Sequence, residues 1–312
     1  MNPLSKRTLA ALVLLFATAV GCAPGDRSPG QQQRPPSLRE FPTLLSVDSL
    51  VLPIEPYLFT DRQVARLLQA RAVLTASCMR RFGHPWPVPK SAPPDTGTRN
   101  PANTAHRYGL TDAVAASRHG YHPAPGSPQK QVKSKVAAGP TPAPAHMLVA
   151  TGLNEDGTPA QQDDSGRALP RGGCLGEATA ALSGSPDKIG NRELVGAINI
   201  GSYQQSQRDP RVTAVFGAWS RCMQRYGYDY ADPTRAPGRS PLYQTDTAGP
   251  AEIALARRDV SCKRDTNVVG VWSAVDADYQ RRVMREKKPE LAAIAADIRT
   301  QLANADRVLG GH

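Results

Sequence analysis

The sequence predicts a mainly α fold: a disulfide-stapled helical domain with long Pro/Gly-rich loops, preceded by an N-terminal signal and tether. Three observations carry this. Apolar residues recur at three- and four-residue spacing in several stretches, the period of one helix face. No run of alternating apolar and polar residues marks a sheet, and only residues 49–54 read as a short extended piece. Two near-copies, SCMRRFGHPWPVP around Cys78 and RCMQRYGYDYADP around Cys222, each place a cysteine at the end of such a helical stripe.

The chain opens MNPLSKRTLAALVLLFATAVGCAPG. Lys6 and Arg7 precede an apolar run, Leu9 to Val20, which is shorter than the ~20 residues of a spanning helix and has the length of a secretory signal core. Ala19-Val20-Gly21-Cys22 is similar to a bacterial lipobox, in which the cysteine is diacylated and becomes the first residue after cleavage. Two acyl chains give stable anchoring where one does not. Segment 23–37 is rich in Pro, Gly, Gln and Ser, cannot bury enough apolar surface to fold, and reads as a tether reaching roughly 45 Å if extended. The expected organisation is a signal at 1–21, the tether at 22–38, a first Cys-Met unit with long disordered loops at 39–185, and a second, helical Cys-Met unit at 186–312.

In the first unit, Thr60-Asp61-Arg62-Gln63 fits a capping box. Val64, Leu67, Leu68, Leu74, Cys78, Met79 and Phe82 then form a stripe, and Gly83 stops the helix. Residues 84–104 and 121–172 are Pro-rich and read as loop or disorder, with one short helix over 112–119 capped by Thr111 and ended by Gly120. In the second unit, 192–207 is helical with Leu194, Val195 and Ile198 inward. Asp209-Pro210 opens a helix whose stripe is Val212, Val215, Phe216, Trp219, Cys222, Met223 and Tyr226, stopped by Gly227. Pro250 opens a helix over 251–265 that carries Cys262. Val268, Val271, Trp272, Val275, Tyr279 and Val283 stripe the next. Leu291, Ile294, Ile298, Leu302, Ala305 and Val308 stripe the last, with Pro289 either kinking one long helix or starting the second.

Beyond Cys22, the cysteines are Cys78, Cys174, Cys222 and Cys262. An exported chain meets an oxidising compartment, and four cysteines allow three connectivities. The repeat favours two units each closed by its own bridge, Cys78–Cys174 and Cys222–Cys262. None of the four has CxxC spacing, which argues against zinc. The repeated phrase thus reads as a helix C-terminus: Cys staples the buried face, Met and the aromatic fill the core, Gly ends the helix, and the next aromatic folds back.

No catalytic residue emerges. His119 and His122 lie close together, but they straddle a helix stop and no acidic residue lies nearby in sequence. Ser183-Gly184-Ser185 lacks the nucleophile-elbow context. Glu155-Asp156 and Asp163-Asp164 sit in loop and read as solvated carboxylates. No phosphate-binding glycine motif is present, and neither a cofactor nor a metal is expected. The formal net charge is +11, with Arg well in excess of Lys. For an exported chain this points to anionic lipid headgroups or acidic wall polymer rather than nucleic acid.

The phrases LVLPIEPYLFT (50–60), CMRRFGHPWPVP (78–89), RYGLTDAVAASRHGYH (107–122), WSRCMQRYGYDYADP (219–233) and the run from Glu252 through Asp259 to Cys262 before Trp272 make the chain similar to a family of uncharacterised secreted lipoproteins of actinobacteria, Streptomyces-like, with a repeated Cys-Met-x-Arg-aromatic-Gly motif. The resemblance implies an envelope location and a helical, disulfide-stapled structure, and carries no activity. The expectation is a non-catalytic, lipid-anchored extracytoplasmic interaction or binding module at the outer face of the cell membrane. Its partners would be the membrane through the lipid on Cys22, and an envelope protein or anionic wall polymer. The alternatives are an envelope hydrolase with an unrecognised site, and a solute-binding lipoprotein.

Overall fold

The structure is a computed structural model and describes residues 41–48, 50–88, 102, 104–125, 143–185, 192–236 and 245–311. The expected signal, Cys22 and the tether lie outside these residues. Among the described residues the helices are α1 (Asp61–Arg81), α2 (Thr104–Arg107), α3 (Ala113–His119), α4 (Pro144–Thr151), α5 (Gly173–Ser183), α6 (Arg192–Ser206), α7 (Pro210–Gln224), α8 (Pro250–Asp265), α9 (Val268–Glu286) and α10 (Lys288–Gly310), with a 3-10 turn at Glu55–Tyr57. No strand forms among them; Leu153 bridges Pro159 and Gln162 bridges Ala168 in isolation. The mainly α expectation holds.

Local chemistry explains the ends of the helices. The capping box at Thr60 is complete: the Thr60 hydroxyl accepts from Gln63 N at 3.2 Å, and Thr60 N donates to Gln63 Oε1 at 2.9 Å. The α3 cap is Asp112 rather than the expected Thr111, because the Asp112 carboxylate reaches two free N–H groups, of Val114 at 2.7 Å and Ala115 at 3.1 Å. Pro289 lies in the first turn of α10, so it begins a new helix rather than kinking one. Three parts differ more. The stretch expected as loop contains α4, opened by Pro144. It also contains two tight turns, closed by Asn154 N donating to Thr158 O at 2.8 Å and Asp163 N donating to Arg167 O at 2.9 Å. Of the piece expected to extend at 49–54, residue 49 lies outside the described residues, and Pro53 and Ile54 turn into the 3-10 helix instead.

The helices pack in two groups. α1 lies against α5 and α10, and α4 lies against α5. α9 lies against α6 and α7, while α8 lies against α3 and α7. The core around Trp219 and Trp272 joins Val212, Val215, Phe216 and Met223 of α7 to Leu255 and Cys262 of α8 and Val268, Val271 and Val275 of α9. A second core joins the groups: Leu52 and Ile54 meet Val195 and Ile198 of α6, Ala277 of α9, and Leu291, Ile294 and Ile298 of α10. A third places Leu67 and Ala70 of α1 against Leu182 of α5 and Ala305 of α10. Residues 37–312 group as one compact unit, with α10 touching both α1 and α9.

The repeated phrase ends both helices the same way. Gly83 and Gly227 take φ of +78° and +83°, a left-handed conformation open to glycine at little cost. His84 N donates to Met79 O at 3.0 Å and Gly83 N to Arg80 O at 3.0 Å; in the second copy Tyr228 N donates to Met223 O at 3.2 Å and Gly227 N to Gln224 O at 3.0 Å. This is the Schellman pattern, with the methionine carbonyl as its acceptor in both copies. An arginine covers the motif aromatic each time: Arg167 over Phe82 at 5.1 Å and Arg258 over Tyr226 at 4.1 Å. Phe82 is buried, but Tyr226 is 43% exposed. Its expected core role is wrong, because Arg258 holds the ring on the surface. Trp86 and Tyr230 do fold back onto their cores.

Cys78 is bridged to Cys174, tying α1 to α5, and Cys222 to Cys262, tying α7 to α8. Residues 42–44 are fixed at the α8–α9 corner. Asn267 Nδ2 donates to Pro42 O at 3.0 Å and Leu44 N donates to Asn267 Oδ1 at 3.2 Å. Gly270 makes room, since a Cβ there would meet Pro42 O at 1.9 Å.

Two predictions follow from these contacts. Replacing Cys222 and Cys262 together with serine should lower unfolding free energy by about 4 kcal/mol, the chain-entropy value for a loop of this length. Chemical denaturation under oxidising conditions measures this; an unchanged midpoint would refute a stabilising bridge. Asp209, the cap of α7, accepts from Arg211 N at 2.9 Å, Arg211 Nε at 2.8 Å and Tyr279 Oη at 3.2 Å. Burial pushes its carboxyl pKa up, but these donors outweigh burial and hold it below the ordinary value. A depressed folded-state pKa stabilises above the unfolded carboxylate value and is lost as pH falls through the folded one. Asp209→Asn should therefore lower Tm at pH 7, with the gap from wild type closing below about pH 4.

Candidate functional site

The buried charges of α8 and α9 converge on one short segment, residues 104–122. Asp276 accepts from Arg107 Nε at 2.6 Å and from Tyr108 Oη at 2.8 Å. The same guanidinium donates to Asn199 O at 2.6 Å and lies over the Tyr203 ring at 4.8 Å. Burial works against the Arg107 charge, yet Asp276 outweighs it and raises the pKa. Tyr108 is pushed up by burial and by the Asp276 charge. Next to the bridged Cys262, Lys263 Nζ donates to Asp259 Oδ2 at 2.9 Å, one turn back on α8, and to Leu110 O at 3.1 Å. Asp259 also accepts from Tyr121 Oη and from Trp219 Nε1, each at 3.1 Å. Burial pushes its pKa up against the pull of Lys263.

The third anchor involves one of the histidines singled out in the sequence. His122 Nδ1 lies 2.8 Å from Glu252 Oε1, which also accepts from Tyr121 N at 2.7 Å. The absence of an acidic neighbour in sequence was misleading, because the partner lies on α8. A carboxylate–imidazole pair is part of many hydrolytic sites, where the free ring nitrogen faces a nucleophile. Here Nε2 instead faces the Thr245 carbonyl at 2.6 Å, and the side chain is 9% exposed. Both neighbours are acceptors, so an imidazolium satisfies both bonds. The arrangement is a strut between α8 and its flanking loops. His119 is not brought in through its ring; its carbonyl accepts from His122 N at 2.9 Å.

A different part of the surface has the form of a binding site. Between α1, α5 and α10 lies a cleft of about 420 Å³, its open mouth included, lined by Val64, Leu67, Leu68, Arg71, Thr179, Leu182, Ser183 and Gln301. The α1 members follow i, i+3, i+4, i+7 and so share one face. Leu68, expected inward with the stripe, is 52% exposed at the lip. The Thr179 hydroxyl donates to Leu175 O at 2.7 Å, and the Ser183 hydroxyl is placed between Thr179 O at 2.8 Å and Ser185 O at 2.9 Å. Arg71 Nε is buried without a hydrogen-bond partner. Gln301, 3% exposed, completes the lining from α10.

The remaining sequence candidates have structural places. Cys78, Cys174, Cys222 and Cys262 are all bridged. Asp163, expected to be solvated, is buried: it accepts from Ser165 N at 2.9 Å and Arg167 Nε at 2.8 Å. Arg167 in turn donates to Phe82 O at 2.8 Å at the end of α1. Asp156 accepts from Thr158 N at 2.9 Å within its own turn. Among the described residues, no group of three or more His, Cys, Asp or Glu is arranged to hold a metal ion, and no helix is long and apolar enough to cross a membrane. No protein family, curated protein or solved structure matches the chain.

The buried pair on α8 gives a test of how residues 104–122 are held. Lys263→Met leaves Asp259 charged and unmatched in the interior and should cost about 3–5 kcal/mol. Adding Asp259→Asn to Lys263→Met should recover most of that loss. Urea unfolding of both variants measures the difference; equal stability would show that the pair is not coupled.

Proposed function

We propose that the chain is a lipid-anchored, non-catalytic binding module outside the bacterial cell membrane. The observation that carries this is the conjunction of LVLLFATAVGC, ending in Cys22, with a helical domain that holds two disulfides. Disulfides persist in oxidising compartments, which agrees with export through such a leader. The non-catalytic part is supported by the closure of the His122–Glu252 pair on both ring nitrogens. The hydrolase alternative would require Nε2 to face a hydroxyl or thiol. With Lys6 and Arg7 removed in the signal, the anchored chain carries 36 basic against 27 acidic residues, a net +9, which suits a further contact with anionic wall polymer or an acidic face of a neighbouring envelope protein.

Metabolic labelling tests the anchor. Cells supplied with an alkyne-bearing fatty acid should label the wild-type chain and not Cys22→Ser. The wild-type protein should sediment with membranes until detergent is added. An unlabelled wild-type chain recovered from the medium would overturn the proposal.

A further inference from the structure

The cleft between α1, α5 and α10 combines apolar walls with an arginine whose Nε the fold leaves without a partner. Elsewhere arginines that lie in or against the fold are paired: Arg107 with Asp276, Arg167 with Asp163, and Arg211 with Asp209. Arg71 is the contrast. Its Nε is cut off from water without a partner, and no carboxylate pairs with it among the described residues. Gln301, 3% exposed on the facing helix, lines the same cleft. A buried donor without an acceptor costs about 1–3 kcal/mol, more when charged. An anionic head in the cleft would give the Arg71 guanidinium the charged partner that the described residues do not supply.

We propose that this cleft binds a small amphiphile, its anionic head held by Arg71 and Gln301 and its alkyl chain lying along Val64, Leu67, Leu68 and Leu182. The sign of the head follows from the donors. Arg71 offers only N–H groups, and the Gln301 amide adds an NH₂. The Thr179 hydroxyl proton is already committed to Leu175 O, and that of Ser183 to the carbonyls of Thr179 and Ser185, so neither competes for the head. The chain length follows from α1. Residues 64 to 71 span roughly 10 Å at 1.5 Å per residue, about the reach of an eight-carbon chain. Leu68 at the lip gives the chain its apolar entry. Charge-assisted bonds to a carboxylate or a phosphate monoester are the strong ones a guanidinium makes, and both head types fit. This deepens the reading of the chain as a binding module and does not depend on the anchor.

Calorimetric titration of the purified full-length chain with sodium octanoate, octyl phosphate and 1-octanol tests the proposal. At least one anion should bind saturably, about tenfold or more tighter than octanol. Octanoate as the tighter ligand assigns a fatty-acid-like head, and octyl phosphate a lipid-derived phosphate. Arg71→Gln should abolish the preference over octanol while keeping the wild-type Tm. Leu68→Ser, at an exposed position, should weaken all three ligands by a similar factor. Octanol binding as tightly as both anions, Arg71→Gln retaining the preference, or no saturable binding at millimolar ligand by a folded chain would each overturn it. Cys22→Ser should bind like wild type, so loss of the anchor and loss of the cleft are read separately.

Discussion

Residues 104–122 are held in place by buried charge. This stretch contains only the short helices α2 and α3, and few of its side chains are large and apolar. Four charged groups of α8 and α9 reach it instead: Glu252 takes Tyr121 N and His122, Asp259 takes the Tyr121 hydroxyl, Lys263 holds the Leu110 carbonyl, and Asp276 takes Arg107 and Tyr108. Each of these charges loses water on burial, and only well-placed partners offset that loss. The packing of α3 against α8, and of Tyr108 against Trp272 at 5.1 Å, depends on this match. One oxygen of Glu252 is left without a partner, so the match at that anchor is incomplete.

The two disulfides act on a different problem. A chain with 29 prolines and 5% aromatic residues has little bulky apolar surface to hold distant helices together. Bridging α1 to α5 and α7 to α8 puts one covalent tie in each helical group, and the shared core around Leu52, Ile54 and Leu291 joins the groups. The duplicated ending of α1 and α7 gives each tie a fixed approach: Schellman closure on a methionine carbonyl, with an arginine over the aromatic.

The long amphipathic helices were legible because their faces carry Val, Leu, Ile and Trp at helical spacing. The bridge pairing was legible because the phrase around Cys78 is copied around Cys222. α5 was not legible. Its buried face is Gly173, Cys174, Gly176, Ala178, Thr179 and Leu182, too small to show a hydrophobic period. α4 was hidden by the prolines around it, one of which opens the helix. The anchors of residues 104–122 were invisible for another reason. In a sequence, Glu252, Asp259, Lys263 and Asp276 mark the solvent side of a helix, and their partners lie more than a hundred residues away. The cleft needs three helices at once, including α5, so it could not be found before α5 was. Cys22 stands apart, since its reading rests on local pattern alone.

The fastening of Pro42 and Leu44 to Asn267 has a mechanical side. A pull on the chain at Pro42 would load these two hydrogen bonds, at the corner between α8 and α9. That corner follows directly on Cys262, whose bridge passes the strain sideways into α7 rather than along the chain. The corner that holds Pro42 and Leu44 is thus braced by a covalent bridge as well as by hydrogen bonds, so tension on residues 42–44 would load α7 and α8 together.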